Sequence, residues 1–76
     1  MDKYILQPSA NKGWWVATDM EHGIVVKFKE HEYNDTQETT LLNDNKFKSA
    51  EEALKYATYI RELADWLREN HCNKVF

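Results

Sequence analysis

The chain carries two hydrophobic rhythms, one in each part. Residues 3–42 are rich in Trp, Val, Ile, Tyr, Phe and Thr, and they hold both glycines and the single proline. β-Branched and aromatic residues broken by turn formers predict strands. Residues 49–71 hold neither Gly nor Pro and are rich in Ala, Leu, Glu, Lys and Arg, which predicts a helix.

Four strands follow from the first part. Lys3–Gln7 is the first, ended by Pro8, which cannot extend a ladder. Pro8 to Gly13 reads as a turn with Gly13 at positive φ. Trp14–Met20 and Ile24–Glu30 form a hairpin across Glu21-His22-Gly23, with Gly23 left-handed. Pairing Met20 with Ile24, Thr18 with Val26 and Val16 with Phe28 gives a core face of Trp14, Val16, Met20, Ile24, Val26 and Phe28. Trp15, Ala17, Asp19, Val25, Lys27 and Lys29 then line the opposite face. A slip of one residue exchanges Trp14 and Trp15 between the faces. Glu32–Asp35 is a polar turn, Glu38–Leu42 a fourth strand and Asn43–Lys46 a loop, with Phe47 just before the helix.

Ser49 opens that helix. Glu52 follows three residues later, so the Ser hydroxyl can accept the Glu52 amide in a capping box. Glu51 and Glu52 also suit the positive end of the helix dipole. The helix is predicted over about 50–70, with Asn70 or Asn73 supplying a left-handed end. Ala53, Ala57, Ile60, Ala64 and Leu67 fall on one line, flanked by Tyr56 and Leu63. Tyr59, Leu63 and Trp66 form an aromatic margin beside it. The fold class implied is α+β: an antiparallel meander of three to four strands with one long C-terminal helix packed on one face. Residues 1–76 form a single small domain.

Composition sharpens this picture mainly by exclusion. At 76 residues a chain buries only about 60–65% of its unfolded surface, so a partner is a natural source of added stability. One Cys excludes an internal disulfide, and no run reaches the ~18 apolar residues of a membrane span. Met1-Asp2-Lys3-Tyr4 leads straight into patterned sequence with no secretion-signal form, so a cytoplasmic location is expected. The net charge of −3 disfavours general nucleic-acid affinity.

Candidate chemistry is sparse. His22, His31, His71 and Cys72 could make four zinc ligands, but their spacing matches no zinc motif. His71 next to Cys72 is not a nucleophile–base pair, and no Gly-rich phosphate loop exists. No enzyme activity and no cofactor are expected. The function expected is a small non-enzymatic protein-interaction module, partnered by a second copy as a homodimer or by another protein. Contact would come through the uncovered sheet face at Trp15 and Val25, or through the helix margin at Tyr59, Leu63 and Trp66. The alternative is a nucleic-acid-binding domain using Lys12, Trp15, Lys27 and Lys29.

Overall fold

The computed structural model describes residues 3–42 and 49–76. The loop expected at Asn43–Lys46, the position of Phe47 and the extreme N-terminus at Met1-Asp2 lie outside the described residues. The elements run β1 (Tyr4–Pro8), β2 (Trp14–Asp19), β3 (Ile24–Lys29), α1 (Tyr33–Thr36), β4 (Glu38–Leu41) and α2 (Ala50–Val75). The strands form one antiparallel sheet in the order β1-β2-β3-β4, and the long helix packs against it in an α+β arrangement. Gly13 and Gly23 both take positive φ, at 84° and 67°, as the turns at these positions require.

The hairpin register departs from expectation by one residue. Asp19, not Met20, pairs with Ile24; Ala17 pairs with Val26 and Trp15 with Phe28. The cause is Asp19. Its carbonyl accepts the Gly23 N–H (2.9 Å), and its carboxylate accepts the N–H groups of Glu21 (2.9 Å) and His22 (3.1 Å). These bonds draw Met20 into a four-residue connection and end β2 at Asp19. Because side chains alternate, the shift exchanges the whole of β2 between faces. Trp15, Ala17 and Asp19 face the helix with Ile24, Val26 and Phe28. Trp14, Val16 and Thr18 join Val25, Lys27 and Lys29 on the other side. The placement of Trp15 on the uncovered face is therefore corrected: Trp14 stands there.

The helix is capped as its sequence requires, with Ser49 Oγ accepting the Glu52 N–H at 3.3 Å. Its break comes at His71, whose φ of −137° and ψ of 27° interrupt the helix before a last turn to Val75. Neither Asn70 nor Asn73 takes the left-handed form; among non-glycine described residues only His31 does, at φ 64°. The His31 N–H reaches the Lys74 carbonyl (2.9 Å), tying the turn after β3 to the end of the helix.

The buried stripe of α2 is rotated from the alanine line toward the bulkier residues. Leu63 and Leu67 are fully buried, Tyr56, Tyr59, Ile60 and Trp66 are half-buried, and Ala57 is exposed. Large side chains bury more apolar area than alanines, which fixes the helix's rotation. Tyr4 meets Trp66 with ring centroids 5.3 Å apart, and Tyr33 sits between Phe28 (5.1 Å) and Phe76 (5.5 Å). Leu63 is thus a core residue rather than an interface residue.

Tyr33 is 3% exposed, and its hydroxyl has no hydrogen-bond partner among the described residues. Burial pushes its phenol above the ordinary value of 10.0, while the Arg68 charge draws it partly back. A folded value raised above the unfolded one means stability is complete below pH 10.0 and is lost as pH rises through the folded value. Tyr33→Phe removes an orphaned polar group and should be neutral or stabilising by up to about 1 kcal/mol at neutral pH. It should also flatten the alkaline loss, a difference that urea melts at neutral pH and at about pH 11 will measure.

Candidate functional site

Two places in the fold gather functional side chains. One is the sheet face opposite the helix. Strand alternation sets Ile5 and Gln7, then Trp14, Val16 and Thr18, then Val25 and Lys27, then Glu38 and Thr40 in cross-strand rows. One row reads Ile5–Thr18–Val25–Thr40 and the next Gln7–Val16–Lys27–Glu38. Both helices send their buried side chains to the other face: Tyr33 from α1, and Leu63, Leu67 and Val75 from α2. Ile5, Trp14, Val16, Thr18 and Val25 are only half-buried.

The cations on this face are already engaged. Lys27 Nζ lies 5.3 Å from the Trp14 ring centre, a cation–π contact. Lys29 Nζ is 3.4 Å from the Glu32 carboxylate. The set expected for nucleic acid does not converge. Lys12 is exposed in the β1–β2 turn, while Trp15 faces the helix side beneath the Lys74 ammonium (4.8 Å).

The second place is the β2–β3 turn. Asp19 is fully buried, and His22 Nδ1 lies 2.8 Å from its Oδ2. A carboxylate has only acceptors to offer, so Nδ1 carries the hydrogen. The imidazole stacks on Tyr59 with ring centres 3.6 Å apart and planes 10° off parallel. Lys3 bridges Glu21 of the same turn (3.1 Å), and the Glu21 carboxylate holds the Lys3 ammonium above the usual lysine range. Among the described residues no serine, threonine or cysteine hydrogen-bonds the His22 ring. The geometry of the Asp–His pair is that of a staple fastening the turn to α2. Sequence reasoning weighed His22 only as a zinc ligand of unsuitable spacing; the signal it passed over is an Asp three residues before a His in a tight turn.

The helix margin expected as an interface is largely spent inside the fold. Tyr59 holds His22, Trp66 packs on Tyr4 and His71, and Leu63 is buried. Of the expected interface residues, Val25 alone remains on the uncovered sheet face. Cys72 is exposed beside the helix break, where a hollow of about 420 Å³ is lined by the consecutive residues 69–74. Such a lining marks a bend in one segment rather than a pocket between elements. Among the described residues no cluster of three or more His, Cys, Asp or Glu is placed to hold a metal.

The chain matches no family model, no curated protein and no solved structure. Geometry is therefore the basis for its function. Among the described residues no helix is long and apolar enough to cross a membrane.

Proposed function

We propose that the protein is a small interaction module that self-associates through the sheet face carrying Ile5, Trp14, Val16 and Val25. The observation that carries this reading is the one-sided core: both helices bury their side chains against one face, leaving these four apolar residues half-buried on the other. A second copy suits the face because Lys27, Lys29 and Glu38 on it can each avoid a like charge across the contact. A two-fold axis parallel to the strands, between β2 and β3, sets Gln7 opposite Glu38 of the second copy and Val16 opposite Lys27. It sets Thr18 opposite Val25, and no like charges meet.

The association is weak and reversible. Four strands about 4.8 Å apart and five residues long at about 3.4 Å each give a flat footprint of roughly 330 Å². A standard interface takes about 800 Å² per partner.

Val16→Lys/Val25→Lys inserts charge at the centre of the face and sets lysine against Lys27 of the second copy. Sedimentation should show association at this face weakened by at least about tenfold, with the helical circular dichroism retained. Unchanged association in the folded double variant would defeat the reading. A salt titration separates the alternative: nucleic-acid affinity falls steeply with salt, whereas apolar association holds or strengthens. Steep salt-dependent binding to DNA or RNA, abolished by Lys27→Glu/Lys29→Glu, would replace self-association with that role.

A further inference from the structure

We infer that β4 is a pairing edge that joins two copies into one continuous eight-stranded sheet, by antiparallel β4–β4 contact centred on Thr40. The inference concerns the rim of the sheet, not its face, and stands independently of the face-to-face association.

The phase of the β3–β4 ladder identifies the unpaired groups. The Leu42 N–H donates to the Gly23 carbonyl at 2.7 Å, continuing the register in which Leu41 pairs with Ile24 and Thr40 with Val25. In an antiparallel ladder, hydrogen-bonded and non-hydrogen-bonded pairs alternate. Leu42, Thr40 and Glu38 thus turn their N–H and C=O groups toward β3. Thr39 and Leu41 turn theirs outward, and the described strands place nothing beyond β4. Glu38, Thr39 and Thr40 are all exposed.

This edge is short and carries the charge of Glu38, but it lacks the stronger blunting features. It has no lysine, proline or bulge, whereas the other edge strand, β1, ends at Pro8. Its outward pattern is self-complementary. A two-fold axis through Thr40 pairs Thr39 of each copy with Leu41 of the other, which satisfies every outward N–H and C=O of β4 with four main-chain hydrogen bonds. Thr40 then meets Thr40, a favourable cross-strand pair, and no like charges stand opposite. The same register sets Leu42, 63% exposed, beside the Glu38 stem of the second copy and covers it. A register centred on Thr39 would oppose Leu41 to Gln37, whose N–H is already bonded to Tyr33 (3.1 Å). Centring on Thr40 leaves no such conflict.

The test reads the outward amides directly. Hydrogen exchange at the Thr39 and Leu41 amides of the intact chain should slow as concentration rises. The face variant Val16→Lys/Val25→Lys should keep that protection, because its substitutions lie on β2 and β3. Thr39→Pro removes an outward donor without touching the β3 ladder, and should weaken edge pairing by about tenfold or more. Exchange at Thr39 and Leu41 that is fast and independent of concentration would overturn the edge pairing while leaving the face reading intact. So would protection that appears only on adding an extended peptide, which would make the occupant another protein's strand. Protection lost in the face variant but kept in Thr39→Pro would assign it to face stacking and equally refute an edge role.

Discussion

Asp19→Ala should destabilise the fold by about 3 kcal/mol and lower its melting temperature by roughly 15 °C. Asp19 lies on the helix side of the sheet with no exposed surface, and it accepts from two backbone amides and one imidazole. Hydrogen bonds to a charged acceptor each contribute about 1.5–3 kcal/mol, and their loss strands the donors that remain. For a 76-residue domain the loss is a large share of total stability. Asp19→Asn is the informative companion. Its carbonyl oxygen still serves the Glu21 and His22 amides, and a change of His22 tautomer lets the ring accept from the new amide nitrogen. It should recover about half of the loss. Thermal melts of the two variants decide the matter; equal losses would show that the hydrogen-bond pattern is not what fixes the turn.

Leu63→Ala should cost about 2–5 kcal/mol, because Leu63 has no exposed surface and lies where α2 crosses the sheet. Removal of its isobutyl group leaves a cavity that Tyr59, Ile60 and Leu67, anchored on the same helix, only partly fill. Leu54→Ala, at a site 68% exposed on that helix, should change stability by less than about 0.5 kcal/mol. Urea unfolding of the pair measures the contrast. A Leu63→Ala protein of normal stability but weakened self-association would return Leu63 to the interface role that its sequence position suggests.

The legible part of the sequence was the part governed by local chemistry. Both glycine turns, the β3 face pattern, the Ser49 cap and the α+β class follow from residue type and spacing. Two features escaped because they depend on contacts between distant residues. Trp14-Trp15-Val16 is apolar at three successive positions, so alternation alone assigns no inward face to β2. Asp19 settles it through hydrogen bonds to a turn that no hydrophobic pattern records. The rotation of α2 likewise depends on Tyr4 and His22 offering rings to Trp66 and Tyr59. The periodicity put Ala53, Ala57 and Ala64 on the core line; an aromatic layer holds the helix instead. The candidate site inherits both effects. Val25 keeps its expected face, Trp15 exchanges with Trp14, and the helix margin is consumed in holding the turn and β1.

Both proposed contacts act through the same sheet, and their axes are perpendicular. The face axis lies between β2 and β3 and the edge axis beyond β4, so the two do not intersect, and both contacts formed together extend the copies in an open row rather than closing a ring. Methyl resonances followed on dilution from about 1 mM to about 20 μM isolate the face contact. The expected result is that the Ile5, Val16 and Val25 methyls shift together along one binding curve while those of Leu63 and Leu67 stay still. Invariant Ile5, Val16 and Val25 resonances across that range would contradict self-association through this face.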